Sequence, residues 1–195
     1  MARDKIAIFD FDGTLIQGDS FISFARHAYG RWRFGLKLLQ SAPWLVAWKL
    51  GLIPSGKAKE HLFGCLYKGL DVTKWREMCR GFLPVIEADI RESVMDRLKF
   101  HRSQGHRLII LTASPPDWIL PWAEKEGVER VIGTGMEVSD GKLTGRFTTP
   151  NCIGPEKVKR LQEVLPEVAG SETWAYGDSA SDAYVLSFAT HGTKV

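Results

Sequence analysis

Four aspartates stand in two short clusters whose spacing could support chemistry. Asp10 and Asp12 lie in the run Asp-Phe-Asp-Gly-Thr-Leu, and Asp178 and Asp182 lie in Gly-Asp-Ser-Ala-Ser-Asp. Two carboxylates about 4 Å apart repel by roughly 4 kcal/mol at an effective dielectric constant of 20. A hard cation that takes oxygen ligands, such as Mg²⁺, relieves this repulsion and often binds a phosphate as well. The clusters therefore predict a Mg²⁺ site at which a phosphate group binds.

Asp10 can attack phosphorus only if its own charge and that of the phosphate are screened. The cation supplies part of this screening, and a lysine near the start of a helix predicted at 156–165 supplies more. Lys157 is the candidate, with Lys159 as its rival. Asp12 follows two residues after Asp10 and is expected to point the same way, so it can protonate the leaving oxygen and later activate water.

Other groups are expected to hold the phosphate. Thr112 follows an apolar run at 107–111 and can donate a hydrogen bond to a phosphoryl oxygen. The backbone N–H groups of the turn after Asp10, at Phe11 and Gly13, can cradle the same oxygens. Ser114 is interpreted as a turn residue, and the 5 histidines show no ligand spacing.

The hydrophobic pattern predicts the elements that must position these residues. Apolar runs that stop at polar or turn residues predict strands at 5–9, 107–111, 131–132 and 173–176. The Asp-Gly pair at 140–141 predicts a hairpin at 136–147. Amphipathic stretches predict helices at 90–104, 117–126, 156–165 and up to about Phe188. This alternation predicts a parallel sheet with helices on both faces, whose ligands bind beyond the carboxyl ends of the strands.

Residues 20–83, between the first two strands, have a helical pattern that breaks at 51–56. The part from residue 20 to residue 59 contains no Asp or Glu. It carries cations and tryptophans in alternation, namely Arg26, Arg31, Trp32, Arg33, Lys37, Trp44, Trp48, Lys49, Lys57 and Lys59. In one interpretation this is a helical cap whose cations draw an anionic substrate to the crevice. In the other it contacts an anionic membrane surface, which would suit a lipid phosphate as substrate.

The composition of the 195-residue chain is that of a soluble globular protein, with 44% apolar and 25% charged residues. A net charge of +3 is too small to indicate a nucleic acid partner. Three cysteines without a CxxC pair argue against a disulfide framework or a zinc cluster and fit a reducing compartment. There is no apolar signal segment, and polar residues interrupt the apolar stretch at 34–53, so a cytoplasmic protein is expected.

The motifs resemble, in order and spacing, the four motifs of the haloacid dehalogenase (HAD) superfamily. The matching residues are Asp-Phe-Asp-Gly-Thr-Leu at 10–15, Thr112, Lys157 and Gly-Asp-Ser-Ala-Ser-Asp at 177–182. The helical insertion resembles the cap of subfamily IB, which contains phosphoserine phosphatase. The run Asn-Cys-Ile-Gly-Pro-Glu-Lys at 151–157 is similar to the lysine motif of a bacterial branch with histidinol-phosphate and phosphatidylglycerophosphate phosphatases.

The resemblance covers nearly the whole chain and implies a fold. It implies an α/β, HAD-like Rossmannoid core with a parallel sheet at 1–16 and 87–195. An all-helical cap at 17–86 is inserted after the first strand.

The resemblance also implies a Mg²⁺-dependent phosphatase that forms an aspartyl-phosphate. Asp10 is then the nucleophile and Asp12 the acid and base, while Thr112 and Lys157 hold phosphate. The metal ligands that it implies are Asp10, the backbone carbonyl of Asp12, Asp178, and Asp182, the last directly or through water. Asp12 argues against a dehalogenase, because displacement of halide needs no acid at this position.

The sequence departs from the family pattern in its substrate-reading residues and at its end. Phosphoserine phosphatases carry a glutamate nine residues after the nucleophile to hold the substrate amine, whereas this sequence has the shorter Asp19. In the cap of phosphoserine phosphatases an arginine binds the serine carboxylate, and we cannot identify its counterpart in this sequence. The substrate is therefore expected to be a small phosphorylated metabolite or a lipid phosphate. The sequence ends at Val195, where the family usually continues through a further strand, so a truncated chain or a short member is expected.

Two other functions stay open at this point. The first is phosphotransfer to an acceptor other than water, which would form new esters when alcohols or nucleosides are added. The second is a non-catalytic protein that has kept the fold and binds a phosphate ligand. Metal-dependent turnover that is lost in Asp10→Asn would exclude this second function.

Overall fold

Five parallel strands form the central sheet of the protein, which is seen in a computed structural model that describes residues 4–195. In chain order the strands of the protein are β1 (Lys5–Phe9), β2 (Arg107–Leu111), β3 (Arg130–Ile132), β4 (Met136–Ser139), β5 (Lys142–Phe147), β6 (Glu172–Gly177) and β7 (His191–Lys194). The sheet has the order β3-β2-β1-β6-β7, while β4 and β5 form a separate antiparallel hairpin. The predicted strands and the hairpin are all present.

Nine helices accompany these strands among residues 4–195. They are α1 (Ser20–Gln40), α2 (Ala42–Lys49), α3 (Ser55–Tyr67), α4 (Val72–Gly81), α5 (Leu83–Ala88), α6 (Glu92–Ser103), α7 (Leu120–Lys125), α8 (Pro155–Val164) and α9 (Ala183–Phe188). Helix α1 kinks at Gly30, whose φ of 72° lies outside the helical region. The helix predicted at 117–126 is split, because a 3₁₀ turn at Pro116–Trp118 precedes α7 and Pro121 lies in its first turn.

Alternate residues of the strands pack on opposite faces of the sheet, as the period of two requires. In β1, Ala7 and Phe9 pack with α6 and α7, while Ile6 and Ile8 pack with α8 and α9. Both faces of the sheet are therefore covered by helices, and the predicted α/β fold with a parallel sheet is confirmed.

Helices α1 to α5 form the all-helical insertion after β1. An aromatic cluster joins them to the 3₁₀ turn of the core, with Phe24 stacked on Trp118 at 4.7 Å and in edge contact with Trp75 at 5.1 Å. The boundary predicted between 86 and 87 lies inside α5. The hairpin also packs on α3, where Phe63 meets Phe147 at 5.2 Å. The division into 1–16 and 87–195 against 17–86 stays a prediction.

Strand β7 extends the sheet beyond β6 and was not predicted. Its backbone pairs in parallel with β6, from His191 opposite Trp174 to Lys194 opposite Gly177. All four of its residues are exposed, so no apolar pattern marks it in the sequence. Within residues 4–195, no helix is both long and apolar enough to span a bilayer.

Candidate active site

The predicted site residues come together at the carboxyl edge of the sheet. Asp10 follows β1, Thr112 follows β2 and Asp178 follows β6, so the three central strands each deliver a polar side chain there. Parallel strands end at the same edge, which explains how positions so far apart in sequence meet. Helix α8 brings Lys157 to the same place.

Asp10 is almost buried, with 7% of its surface exposed, and two side chains hold its carboxylate. Lys157 Nζ donates to Oδ1 at 2.6 Å, and Thr14 Oγ1 donates to Oδ2 at 3.2 Å. Burial raises the pKa of Asp10 to about 7, although Lys157 lowers it, and the neighbouring Asp182 raises it further. Additional positive charge beside this carboxylate would therefore stabilise its ionised form.

Lys157 is the buried cation of the site, with 1% of its surface exposed. Its Nζ donates to Asp182 Oδ1 at 2.5 Å as well as to Asp10. Burial lowers the pKa of Lys157, but the two carboxylates outweigh burial and hold the pKa above its ordinary value. Its rival Lys159 is exposed and pairs with glutamates of its own helix. The structure thus brings Lys157, and not Lys159, to Asp10.

Asp182 is fully buried, and both of its carboxylate oxygens have partners. Oδ1 accepts from Lys157, and Oδ2 accepts from the backbone N–H of Ser179 at 3.0 Å and from its hydroxyl at 2.6 Å. These contacts lower the pKa of Asp182 in spite of its burial, which raises it. Asp182 is therefore held as an ionised partner of Lys157.

Asp10, Asp178 and Asp182 form an acidic cluster, in which one carboxylate oxygen of each lies within 4.8 Å of the others. The donors are all carboxylate oxygens, which hard divalent cations prefer. Lys157 offsets only part of the charge of three aspartates. Asp178 is half-buried, and Oδ1 accepts a long hydrogen bond of 3.4 Å from Thr14 Oγ1. Its carboxylate thus accepts fewer hydrogen bonds than that of Asp182. This donor set fits Mg²⁺.

Gly13 allows the turn after β1 to approach this cluster. Its φ is +74°, and a Cβ at this position would lie 2.5 Å from Asp178 Oδ2. The backbone N–H of Gly13, which the sequence predicted to cradle phosphate, donates to the carbonyl of Gly18 at 3.0 Å. The side chain of Phe11 is buried against Trp122, with the rings 5.7 Å apart, and this contact anchors the turn.

Asp12 directs its carboxylate towards β2 and the start of α1. Oδ2 accepts from Ser114 Oγ at 2.7 Å and from Thr112 Oγ1 at 3.4 Å, and Oδ1 accepts from the backbone N–H of Ser20 at 2.6 Å. Ser114, interpreted from the sequence as a turn residue, is buried and holds the carboxylate of Asp12. The three donors fix the position of Asp12 beside the site.

Ser20 and Trp118 extend this buried network, and sequence reasoning missed both. Ser20 Oγ donates to Ser114 Oγ, and Trp118 Nε1 donates to Ser20 Oγ, each at 3.1 Å. The two residues lie far apart in the sequence and meet only in the fold, so no local signal could have grouped them. Thr14 could have been identified from the sequence, because it belongs to the first motif. Its hydroxyl contacts both Asp10 and Asp178.

Lys59 reaches the site from the cap and was counted in the sequence only among the cap cations. Its Nζ donates to the carbonyl of Ala113 at 3.0 Å, next to Thr112. Burial lowers the pKa of Lys59, against the effect of Asp12, Asp19 and Asp10, which raise it. Lys59 therefore adds a second cation to the acidic side of the site.

Asp19 begins α1, and its Oδ1 accepts from the backbone N–H of Ile22 at 3.0 Å. Asp19 and Lys59 line a cavity of about 250 Å³ between cap and core. The remaining lining is mainly apolar and includes Phe21, Leu45, Trp48 and Leu62. The cavity therefore combines one acidic and one basic side chain with a mainly apolar wall.

Comparison with known proteins supports the family indicated by the motifs. The protein CicA of Caulobacter vibrioides (strain NA1000 / CB15N) is 35% identical over 188 residues, which cover 94% of this chain and 82% of CicA. A phosphoserine phosphatase of Wolinella succinogenes is 23% identical over 191 residues, which cover 95% of this chain and 84% of that enzyme.

Solved structures share the fold. A protein of unknown function from Bordetella pertussis Tohama I matches with a TM-score of 0.81 and 25% identity, over 95% of this chain and 87% of that one. A phospho-aspartyl intermediate analogue of phosphoserine phosphatase matches with a TM-score of 0.62 and 21% identity, over 98% of this chain and 85% of that one. The family model of haloacid dehalogenase-like hydrolases matches residues 7–187. The motifs, the fold and this match agree, and the chain belongs to the haloacid dehalogenase-like hydrolase family.

Proposed function

We propose that the protein is a phosphatase that hydrolyses phosphate monoesters with Asp10 as the nucleophile. The observation that carries this proposal is the contact of Asp10 with the buried Lys157, inside a cluster of three aspartates at the carboxyl edge of the sheet. Membership of a hydrolase family supports hydrolysis. Relatives named as phosphatases, among them a probable phosphatase of Mycobacterium tuberculosis, support a phosphate ester as the substrate.

The proposed reaction has two steps. In the first, an oxygen of Asp10 bonds to phosphorus, the bond from phosphorus to the ester oxygen breaks, and Asp12 gives its proton to the leaving oxygen. In the second, Asp12 takes a proton from a water molecule as that water attacks phosphorus. The bond between phosphorus and Asp10 breaks, which releases inorganic phosphate and restores the carboxylate.

The surrounding residues suit these roles. Lys157 lies against the attacking carboxylate, so its charge also lies beside a phosphoryl group bound to Asp10. Thr112 and the backbone N–H of Phe11 are proposed to donate to phosphoryl oxygens. Ser114 and the backbone N–H of Ser20 hold the carboxyl group of Asp12 in place, and this group is proposed to reach the leaving oxygen.

Mg²⁺ is the proposed cofactor. Asp10, Asp178 and the backbone carbonyl of Asp12 would hold it, while Asp182, whose oxygens already accept hydrogen bonds, would support it through water. When bound, Mg²⁺ supplies positive charge that screens the carboxylate of Asp10 from the phosphate.

The test is release of inorganic phosphate from a panel of esters, with and without Mg²⁺. The panel includes phosphoserine, histidinol phosphate, sugar phosphates and phosphatidylglycerophosphate. We expect turnover that needs Mg²⁺ and falls to background in Asp10→Asn. The control Asp96→Asn, at an exposed position on α6, keeps full activity. Turnover that survives in Asp10→Asn would refute the nucleophile, and new esters formed with added alcohols would indicate phosphotransfer.

Lys59 and Asp19 are proposed to bind the part of the substrate that lies beyond its phosphate group. The substrate is proposed to be a small metabolite or a lipid. Lys59 suits an anionic group, and Asp19 suits a cationic group within shorter reach than a glutamate would allow. We expect Lys59→Gln to raise the KM of the best ester by about tenfold or more with little change in kcat. The control Lys57→Gln, exposed on the same helix, leaves both unchanged. Equal effects of the two changes would contradict this role.

A further inference from the structure

Helix α2 is an apolar helix that its own chain covers only in part. Its sequence, Ala-Pro-Trp-Leu-Val-Ala-Trp-Lys, is apolar up to the final lysine, yet none of its residues is buried. Its aromatic contact with α3 is the stacking of Trp44 on His61, at 4.3 Å. A helix that is apolar on all sides but packs against its own chain on only one side exposes apolar surface that folding does not bury, so its composition needs another explanation.

The exposed apolar side chains continue on both sides of α2. Of 13 exposed large apolar residues within 4–195, eight lie between positions 32 and 52. We call these eight the cap face, and they are Trp32, Leu36, Leu39, Trp44, Val46, Trp48, Leu50 and Leu52. Trp32, Leu39 and Leu52 are 90%, 71% and 73% exposed. Exposed apolar residues scattered singly are normal, whereas a concentration of this kind marks an interaction surface.

The cap face also contains a groove. The second half of α1 and the helix α2 enclose a volume of about 490 Å³, lined by Leu38, Leu39, Leu45, Val46 and Trp48 with smaller residues between them. Leu45 and Trp48 also line the cavity that holds Asp19 and Lys59. The groove and the cavity next to the active site therefore share a wall.

The charge around the cap face is of one sign. No Asp or Glu occurs from residue 20 to residue 59, and the exposed cations Arg26, Arg31, Arg33 and Lys49 border the face. None of these four makes an ion pair within the described part of the chain. A partner that covers this face must offer apolar contact and negative charge together.

An anionic lipid surface offers both. Leucine and tryptophan enter the boundary between head groups and acyl chains, while arginine and lysine reach the charged head groups. A second copy of this chain fits less well, because a self-complementary contact would bring two sets of cations together. Nucleic acid would match the charge but would not bury Leu36, Leu39 and Leu52.

We propose that the cap face docks on an anionic membrane surface, with α2 lying in the interface. The docking does not depend on the activity proposed above, because the residues of the cap face that carry it are not those that hold the phosphate. Docking would also place the groove at the membrane next to the cavity that holds Asp19 and Lys59, because the groove and the cavity share Leu45 and Trp48. An ester dissolved in the membrane would thus be held near the site.

Sedimentation with vesicles tests the proposal, because it measures binding without turnover. We expect the full chain to sediment with vesicles of phosphatidylglycerol and phosphatidylcholine at low salt, with a blue shift of tryptophan emission. It should stay in the supernatant with pure phosphatidylcholine. Absence of binding to the anionic vesicles at low salt would overturn the proposal, as would dimer formation in solution that buries the tryptophans instead.

Two sets of variants locate the surface. The triple change Trp32→Ser, Leu39→Ser and Leu52→Ser should weaken sedimentation at least tenfold and reduce the emission shift accordingly. The pair Phe100→Ser and Leu120→Ser, at exposed positions elsewhere, should change neither. Circular dichroism and the basal activity of each protein confirm folding. Equal losses in both sets would overturn the assignment to the cap face.

Two sets of variants that remove the same number of positive charges separate docking through the cap face from the attraction of the whole protein to anionic vesicles. Arg31→Gln, Arg33→Gln and Lys49→Gln should weaken binding about a hundredfold, since each cation near the surface contributes about fivefold. Lys68→Gln, Lys74→Gln and Lys142→Gln remove the same charge at exposed positions outside the cap face and should weaken binding much less. An equal loss in the second set would show that only net charge matters and would overturn the proposal.

Discussion

Replacing Lys157 by Met tests whether the buried lysine holds the acidic cluster together. Lys157 is 1% exposed and donates to Asp10 at 2.6 Å and to Asp182 at 2.5 Å. Methionine is similar in length and can fill the same space without the charge. The two carboxylates would then be buried without a cation between them.

The expected cost follows from the loss of the cation between two buried carboxylates. Removal of one partner from a buried ion pair destabilises a protein by about 3–5 kcal/mol. This agrees in size with the repulsion between carboxylate oxygens within 4.8 Å of one another, about 3–4 kcal/mol at an effective dielectric constant of 20, which Lys157 offsets in the wild type and methionine cannot offset. We therefore expect Lys157→Met to lose about 3–5 kcal/mol of unfolding free energy at pH 7. Lys159→Met, two residues along the same helix and exposed, should lose at most about 0.5 kcal/mol.

Urea unfolding of the two variants at pH 9 and pH 7, without Mg²⁺, measures this difference. Burial raises the pKa of Asp10 to about 7 even beside Lys157, so without the lysine the carboxylate takes up a proton at higher pH than in the wild type. The two proteins therefore differ in the protonation of Asp10 mainly above pH 7, and the deficit of Lys157→Met should shrink as the pH falls from 9 to 7. A deficit equal to that of Lys159→Met, or one that is the same at both pH values, would refute the reasoning.

The same pair of variants separates stability from catalysis. On the best ester of the panel, Lys157→Met should lower kcat by about 10²–10³-fold, the usual cost of removing one group that stabilises charge in the transition state. Lys159→Met should stay within about twofold of the wild type. If folded Lys157→Met keeps its kcat, the lysine does not act on the phosphoryl group.

Two further changes test the packing of the site and of the sheet. Gly13→Ala would place a Cβ 2.5 Å from Asp178 Oδ2, so we expect the Mg²⁺ concentration for half-maximal activity to rise at least tenfold. Gly105→Ala, which has a similar φ of +69° but open space around it, should leave that concentration unchanged. The second change is at His101, because burial, with a contribution from His106, lowers the pKa of this side chain to about 4. The unfolded chain therefore binds the proton more readily, and wild-type stability is lost as the pH falls from about 6.5 towards 4. Between pH 7 and pH 5, His101→Gln should lose up to ~2 kcal/mol less unfolding free energy than the wild type. An equal loss in the two proteins would contradict the cause assigned to the shift.

The sequence predicted those elements whose side chains are buried in a regular pattern. The strand at 107–111 is an uninterrupted apolar run, and the structure has the same bounds because the strand is covered on both faces. Strand β7 was missed because its four residues, His-Gly-Thr-Lys, are exposed and are held only by backbone pairing with β6. Backbone pairing leaves no mark on side-chain polarity, so an edge strand of this kind is invisible in the sequence.

The residues of the candidate site also fall into two groups, those that the sequence could place and those that it could not. Asp10, Asp12 and Asp178 could be placed because Asp10 and Asp178 directly follow strands and Asp12 stands two residues after Asp10. Ser114 and Lys59 could not be assigned, because their partners come from distant parts of the chain, namely Asp12 for Ser114 and the carbonyl of Ala113 for Lys59. Local sequence gives the type of such a residue but not its neighbour, and a lysine in a cationic stretch looks the same whether it faces solvent or substrate.

The charge distribution links the site to the cap in a way that the net charge of +3 conceals. From residue 20 to residue 59 the chain carries seven cations and no acid, so the rest of the protein is net acidic. The acidic part includes the cluster of Asp10, Asp178 and Asp182, which favours a divalent cation but repels a phosphate ester. The cations of the insertion are expected to offset this repulsion, and Lys59 is placed to do so, because its Nζ donates to the carbonyl of Ala113 beside Thr112. The attraction proposed for an anionic substrate and the attraction proposed for an anionic surface thus have a common origin in the insertion. They are separable because Lys59 contacts the core beside the site, while Arg31, Arg33 and Lys49 are exposed.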